Sequence, residues 1–193
     1  MTTATMEKPA RVAMNGVDVP AFVATLGAVD ATREIGNFNF RAHGKWVAGT
    51  HSQVEFDGYF GACAEGRHEK KHTVDADHLT VLCGADNGPT PVELVLGALS
   101  SCIMAGIGNI ASMRQVKLNS VETKAEGDIN LNGILGIDTS VRNGFNAIRL
   151  TVKIDGDADA ETLEKIVNQS IARSAVFDIL TNGVPVAVNA VVA

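Results

Sequence analysis

The 193-residue sequence is poor in cysteine, and its three cysteines, Cys63, Cys83 and Cys102, form no CxxC or CxH pair. Zinc and iron–sulfur sites use closely spaced cysteine and histidine ligands. The five histidines show no ligand spacing either, so the sequence predicts no metal and no cofactor. An odd number of widely spaced cysteines indicates free thiols in a reducing compartment.

The sequence also lacks an excess of basic residues and a long apolar run. Its formal net charge is −6, and Lys70 and Lys71 are its only adjacent basic pair, which argues against a nucleic-acid partner. The most apolar stretch, 94–107, has 14 residues, fewer than the ~20 that a membrane span needs. Residues 1–13 contain no apolar stretch of signal-peptide length. We therefore expect a cytoplasmic protein with no membrane segment.

Hydrophobic residues make up 46% of the chain, an ordinary value for a globular protein, and we predict a single domain over residues 1–193. Residues 1–13 are predicted to be a flexible tail. Asp18 is a capping residue and Pro20 suits a first helical turn, so a helix is predicted at 19–32, covering a sheet edge or a partner subunit. Residues 37–192 form the predicted core.

The period of the apolar residues alternates along the core between two and about 3.6, which predicts an α+β fold. Apolar residues at alternate positions from Phe38 predict a half-buried strand. A turn is predicted around Trp46, between Gly44 and Gly49, before a returning strand. The remaining predictions are a polar loop or weak hairpin at 61–71, a short strand within 74–82, strands at 118–129 and 147–154, a helix capped by Asp159, and a last edge strand at 184–192.

Residues 88–113 hold the most distinctive pattern. Thr90 and Pro91 form a helix-start signal, and Glu93 is the only charged side chain in this stretch. A helix that is apolar on nearly all sides is expected to be buried on nearly all sides. Glycine destabilises a helix by roughly 1 kcal/mol relative to alanine. Three glycines therefore indicate close approach of another backbone, such as a second copy of this helix: Gly97, Gly106 and Gly108.

Residues 88–102, GPTPVELVLGALSSC, and 173–186, RSAVFDILTNGVPV, carry a resemblance to a known family. The first block is similar to the cysteine-bearing helix, and the second to the C-terminal block, of OsmC/Ohr proteins; residues 45–52 and 126–136 support the match. The resemblance implies antiparallel curved sheets around a long buried central helix, in an intertwined homodimer. It also implies a redox role in oxidative stress. The better-known branches reduce organic hydroperoxides with a reactive cysteine, an arginine, a glutamate and a second cysteine that closes a disulfide.

The match is uneven at those functional positions. Cys102 stands at the reactive cysteine, but Ser174 stands at the second one, so the chain resembles a branch lacking the resolving cysteine. The family's glutamate position falls on Val92, and the neighbouring Glu93 is the candidate. The assisting arginine belongs to the first hairpin, where Arg41 is the first candidate. Two further basic residues are secondary candidates: Lys45 and His51.

The chemistry at Cys102 needs a nearby positive charge, because a thiolate rather than a thiol attacks a peroxide. Cys102 lies about eleven residues inside its predicted helix, beyond the reach of that helix's positive end. Apolar surroundings favour the neutral thiol. A cation from elsewhere is therefore expected, Arg41 first and His51 or Lys45 second. Glu93 either assists the reaction or simply favours the helix dipole, and Ser174 is a candidate hydrogen-bonding group near the pocket.

Two functions are compatible with these residues. The first is thiol-dependent reduction of organic hydroperoxides, a thiol peroxidase that uses Cys102 alone and an external thiol as reductant. The second is a non-catalytic dimer that binds a hydrophobic small molecule in its interface pocket, with Cys102 as a small core residue. A purely structural stress-associated role is a weaker third. Cys63 and Cys83 either resolve an oxidised Cys102 or are incidental.

Overall fold

The computed structural model describes residues 11–192 and consists of two compact units. Residues 11–13 and 18–95 belong to the first unit, and residues 14–17 and 96–192 to the second. The prediction of a flexible tail at 1–13 falls mostly on residues 1–10, outside the described residues; residues 11–13 have no helix or strand. The single-domain prediction stays a prediction.

The first unit is built on a four-stranded antiparallel sheet. Its elements are α1 (Val19–Ala31), a 3-10 turn (Arg33–Gly36), β1 (Asn39–Phe40), β2 (His43–Ala48), β3 (His51–Gly61), β4 (Ala64–Ala76), a second 3-10 turn (Thr80–Leu82) and the start of α2 (Pro91–Met113). Strand β3 pairs with each of β1, β2 and β4. Asp18 caps α1 by accepting from the Ala21 N–H, so the helix predicted at 19–32 is confirmed to within one residue.

One turn prediction and one strand prediction in this sheet are wrong. Trp46 lies within strand β2 rather than in a turn, and Gly44 pairs with Val54 in the ladder. The chain reverses at Gly49, which has a positive φ of 55°. The predicted half-buried strand from Phe38 is only the two-residue β1, with both residues exposed. Because every residue of β2 is exposed in the single chain, no inward–outward alternation marks this strand.

Residues 61–71 are a hairpin rather than a loop, the second of the two forms predicted. Gly61 pairs with Ala64, and the two residues between them, Ala62 and Cys63, have φ of 50° and 61°. Two successive left-handed residues are the conformation of a tight two-residue hairpin turn. The polar residues that follow belong to the long strand β4, which ends at Ala76 and so contains only the first three residues of the stretch 74–82 predicted to hold a third strand. Residues 80–82 form a 3-10 turn instead.

The second unit contains the rest of α2, β5 (Leu118–Asp128), α3 (Leu131–Ile134), β6 (Ala147–Gly156), α4 (Ala160–Ala172) and α5 (Ala175–Asn182). Strands β5 and β6 pair antiparallel, close to the predicted bounds, and Asp159 caps α4 through the Thr162 N–H as predicted. The strand predicted at 184–192 is wrong: these residues form neither helix nor strand, and their valines are exposed. Within the described part of this chain no strand forms backbone hydrogen-bond pairs with them, although their sequence favours a strand.

One face of α2 forms the hydrophobic core of the second unit. Ile103 and Ile107 are fully buried and pack with Leu163 and Ile166 of α4 and with the inward residues of β5 and β6. Burying each such side chain stabilises the fold by roughly 1.5–3 kcal/mol. The expected burial on all sides is not observed in the single chain, where the small residues Gly97, Ala98, Ser101 and Ala105 are exposed.

Helix α2 has 23 residues, longer than the apolar stretch counted from the sequence. Among residues 11–192 it is the one helix long and apolar enough to cross a membrane, a description that core helices of soluble proteins also meet. The α+β fold class, with antiparallel sheets and a central helix, is confirmed.

Residues 14–17 anchor the far end of α2. The Asn15 amide donates to the Val116 carbonyl at 2.9 Å and accepts from the Leu118 N–H at 2.9 Å. The buried Ser112 hydroxyl donates to the Met14 carbonyl at 2.9 Å. Asn15 adopts a left-handed φ of 51°, which asparagine tolerates better than most residues. The link from α2 to β5 is therefore fixed by a segment distant in sequence.

Candidate active site

Two of the candidate residues, Cys102 and Ser174, contact each other, and both lie in the second unit. The Ser174 hydroxyl donates to the Cys102 sulphur at 3.1 Å. It also accepts from the Phe177 N–H at 3.1 Å, as the N-cap of α5. The hydroxyl therefore donates to the sulphur and accepts from the backbone at the same time. Ser174 is 5% exposed and Cys102 is half-buried.

The start of helix α5 lies next to the serine that contacts Cys102, an arrangement that is not predicted from the sequence. Its N-terminus begins at Ala175, directly after the serine that contacts Cys102. Unpaired N–H groups at a helix start carry partial positive charge and stabilise a nearby anion. A thiolate at Cys102 therefore has a hydroxyl donor and a helix start beside it, both from the C-terminal block. A capping serine at 174 and the Asn182–Gly183 stop are the sequence signals for this helix.

Glu93 is engaged at the N-terminus of α2. Its carboxylate accepts from the Thr90 N–H at 2.7 Å and from the Thr90 hydroxyl at 2.8 Å, and its own N–H donates to that hydroxyl at 3.4 Å. This reciprocal arrangement is a capping box. The Thr90 N–H, and then its hydroxyl, lower the pKa of the Glu93 carboxyl. The geometry accounts for Glu93 as a helix cap.

The basic candidates all lie in the first unit. Arg41 makes a two-point ion pair with Glu65, at 2.8 Å on each guanidinium nitrogen, and donates to the Asn39 side chain. Hydrogen bonding and the opposite charge of Glu65 raise the pKa of Arg41, and Arg41 lowers the pKa of the Glu65 carboxyl. Lys45 is exposed on β2.

His51 is half-buried. Its Nε2 lies 2.8 Å from an Asp75 carboxylate oxygen, to which Gln53 also donates. The pair lies where β3 begins and β4 approaches its end. It gives His51 a fixed ring orientation within the first unit.

A carboxylate that the sequence analysis does not single out organises the loop before α2. Asp77 is 1% exposed and accepts from Thr50, His78, Ala85 and twice from Asn87, at 2.6–3.2 Å. These donors, the Thr50 hydroxyl foremost, lower the pKa of Asp77 well below its usual range. A β-carbon on Gly88 would lie 2.2 Å from the Asp75 carbonyl oxygen, so the loop passes close to β4. Asp77 therefore fixes the path of residues 77–90.

The other two cysteines are exposed and lie in the first unit. Cys63 occupies the β3–β4 turn, and Cys83 has a left-handed φ of 63° after the second 3-10 turn. Among residues 11–192, no group of three or more histidine, cysteine, aspartate or glutamate side chains is placed to hold a metal ion.

Comparisons with known proteins agree with the resemblance carried by the two sequence blocks. The family model described as OsmC-like protein matches residues 84–189, more than half of the chain. No curated protein matches the chain.

Solved structures share the fold at low sequence identity. An OsmC-like protein from Mycoplasma pneumoniae has 14% identity over 74% of this chain and 86% of its own, with a TM-score of 0.55. An organic hydroperoxide resistance protein OsmC from Legionella pneumophila has 14% identity over 75% and 90%, with a TM-score of 0.51. One from Elizabethkingia anophelis, described as an organic hydroperoxide resistance protein, has 15% identity over 74% and 88%, with a TM-score of 0.50.

Proposed function

Because the chain belongs to the OsmC-like protein family, we propose that it reduces organic hydroperoxides with Cys102 as its single catalytic cysteine. The observation that carries the proposal is the hydrogen bond from Ser174 to the Cys102 sulphur at the start of α5. A hydroxyl donor and a helix N-terminus can both stabilise an anion beside them, and the thiolate is the form of cysteine that attacks a peroxide. The neighbouring proteins described as organic hydroperoxide resistance proteins suggest the substrate class.

The reaction proceeds in three balanced steps. The Cys102 thiolate attacks one peroxide oxygen, the O–O bond breaks, and the alkoxide takes a proton to leave as an alcohol, so that the sulphur becomes a sulfenic acid. An external thiol then attacks this sulphur, releasing water and forming a mixed disulfide. A second external thiol attacks that disulfide, restoring the Cys102 thiol and releasing an oxidised disulfide. Ser174 has no sulphur, so the reductant must come from outside this pair.

The assisting cation is proposed to be Arg41, with Lys45 and His51 as secondary candidates. Arg41 is the one of the three with a guanidinium held by two hydrogen bonds to a carboxylate, which fixes its orientation. A fixed arginine is suited to bind a peroxide or carboxylate oxygen. We propose that Glu93 acts by fixing the start of α2 through Thr90.

We propose that the functional form is an intertwined homodimer. Small residues on the exposed side of α2 leave room for close approach of another helix, because a β-carbon on Gly97 or Gly108 would meet nothing within 4 Å in this chain. Phe40 and Trp46 are 76% and 69% exposed on the first sheet. Large exposed apolar patches mark interaction sites, and a second copy of the chain is the partner that the family resemblance suggests. We place this dimer in the cytoplasm, where its three free thiols stay reduced.

The alternative function is a dimer that binds a hydrophobic small molecule at its interface without turnover. The observation in its favour is Ser174, which removes the disulfide partner of Cys102. A fatty-acid-like molecule extracted from the purified dimer and identified by mass spectrometry, together with no peroxide consumption, would support it.

The proposed activity is tested by consumption of cumene hydroperoxide in the presence of a small monothiol and, separately, a dithiol. The native chain should turn over repeatedly with at least one of these reductants, and Cys102→Ser should not. A matched Cys83→Ser variant, which changes an exposed cysteine of the first unit, should keep the activity. Equal consumption by the native chain and Cys102→Ser would reject Cys102 as the catalytic group.

A further inference from the structure

Helix α4 is held against α2 by a close contact between Ser170 and Gly106. Ser170 is 1% exposed, and its hydroxyl donates to the Ile103 carbonyl at 2.7 Å. A β-carbon on Gly106 would lie 2.2 Å from the Ser170 hydroxyl oxygen. The element close to Gly106 in this chain is α4, which approaches it through the Ser170 side chain; close approach of a second copy of α2 stays a prediction. No side chain larger than hydrogen fits at 106 while Ser170 keeps its position.

This contact lies one helical turn from the Cys102–Ser174 contact. Cys102 and Gly106 are four residues apart on α2, so they share a face of that helix. Ser170 lies four residues before Ser174, whereas Gly106 lies four residues after Cys102. The two segments therefore run in opposite directions, with Ser170 against Gly106 and Ser174 against Cys102. The two serines thus contact one face of α2 at successive turns.

The segment that links Ser170 to Ser174 is short and held by backbone hydrogen bonds. Helix α4 ends at Ala172 and α5 begins at Ala175. The Arg173 N–H donates to the Ser170 carbonyl and the Ser174 N–H donates to the Ile171 carbonyl, both at 3.2 Å. A displacement of Ser170 away from α2 is therefore transmitted to the Ser174 backbone, and with it to the start of α5.

We propose that Ser170 and Gly106 are positioning residues for the reaction at Cys102: their contact sets the distance of the Ser174 hydroxyl from the sulphur. The proposal rests on the proposed function for its biological meaning, since it assigns the residues that tune the same thiol. It predicts that a methyl group at position 106 weakens the Ser174–Cys102 hydrogen bond although it lies a full turn away. This contact gives a physical reason for a glycine at a helix position where glycine is otherwise unfavourable.

The test is the rate of Cys102 alkylation by iodoacetamide, in a Cys63→Ser, Cys83→Ser background that leaves one thiol. Ser174→Ala is expected to slow alkylation about threefold, because a lost charge-assisted hydrogen bond lowers the thiolate population while the thiolate left is more nucleophilic. Gly106→Ala should slow it to a similar extent. Gly27→Ala, a helical glycine whose added β-carbon would meet nothing within 4 Å, is the matched control and should leave the rate unchanged.

A double-mutant cycle separates positioning from a general loss of packing. In the Ser174→Ala background, Gly106→Ala should have almost no further effect, because the group that it displaces is gone. Gly106→Ala with Ser170→Ala removes the clashing oxygen, and should react faster than Gly106→Ala alone. These variants are compared only as folded proteins, judged by near-ultraviolet circular dichroism.

Two results would overturn the proposal. One is that Gly106→Ala slows alkylation of Cys102 equally in the Ser174 and the Ser174→Ala backgrounds. The other is an unchanged alkylation rate in folded Gly106→Ala. If Gly106→Ala alone does not fold, the double variant Gly106→Ala, Ser170→Ala is compared with Ser170→Ala. An alkylation rate at least threefold lower in the double variant would reject the clash as the cause. Alkylation needs no peroxide, so this cycle stands even if the native chain fails to consume cumene hydroperoxide.

Discussion

The Ser174 hydroxyl donates to the Cys102 sulphur at 3.1 Å and accepts from the Phe177 N–H at 3.1 Å. Ser174 is at the position where the related peroxidases are expected to carry their second cysteine. The pair has a hydroxyl donor in place of a second thiol. The proposed reactivity of Cys102 and its proposed need for an outside reductant both rest on this one contact.

Ser174→Cys is expected to convert the chain to a two-cysteine protein. The Cys102 sulphur lies 3.1 Å from the Ser174 oxygen, so a cysteine sulphur at 174 would lie close to it. A small shift would bring the two sulphurs to the disulfide distance of about 2.05 Å. Mild oxidation should therefore remove two hydrogens from the protein and link peptides containing 102 and 174, as read by mass spectrometry without reduction. Thr181→Cys, on the same helix, is the control and should leave Cys102 free. Free thiols at both 102 and 174 after oxidation of Ser174→Cys would contradict the geometry.

Ala105→Glu is expected to disrupt the proposed dimer. Ala105 is exposed in the single chain on the small-residue side of α2, and an ionised carboxylate is strongly disfavoured in a close helix contact. The native chain should have twice the chain mass by light scattering at micromolar concentration, and Ala105→Glu should have the mass of one chain. The control Ser120→Glu, at an exposed position of β5, should remain dimeric. A native chain that is monomeric under these conditions would reject the homodimer.

Asp77→Asn is expected to destabilise the protein at neutral pH and much less in acid. The pKa of Asp77 is lower in the folded chain than the usual value of about 3.9, so its charged form contributes stability above that value. That contribution is lost as the pH falls through the folded pKa. The melting temperature of Asp77→Asn should therefore be several degrees below the native value at pH 7, and the difference should narrow below pH ~4. A constant difference from pH 7 to pH 3 would show that the charge is not what matters.

Arg41→Gln is expected to lower peroxide consumption at least tenfold while changing the melting temperature little. The ion pair between Arg41 and Glu65 is on the surface, where such pairs contribute little to stability. A loss of activity would therefore report on the cation rather than on folding. Arg33→Gln breaks another exposed pair, with Asp30, and should leave the activity intact. Full activity of Arg41→Gln would reject Arg41 as the assisting cation and leave Lys45 and His51 as the candidates.

The sequence predicts this fold well where an element has a buried side or a strong cap. Asp18 and Asp159 mark the starts of α1 and α4, and Thr90 and Pro91 mark the start of α2. Prediction fails in the first sheet, because β2 is exposed along its whole length and β4 along most of its own. A strand without a buried face shows no alternation of apolar and polar residues.

The candidate site is only partly predictable for a related reason. Cys102 is identified by its place in the helix motif, and Ser174 by its place in the C-terminal block. The contact between them depends on packing of α4 against α2, which requires the Ser170–Gly106 approach 64 residues apart in sequence. The donors that surround Asp77 come from residues 50 to 87, and no local motif indicates that they converge on one carboxylate.

The most direct test of the account is the oxidation state of Cys102 after the reduced native chain meets cumene hydroperoxide at a sub-stoichiometric amount. Mass spectrometry of the trapped protein should show one oxygen added at Cys102, or a mixed disulfide there when a small thiol is present, with Cys63 and Cys83 still reduced. Cys102→Ser should show neither product. If Cys102 stays a free thiol while the hydroperoxide is intact, the chain is not a thiol peroxidase.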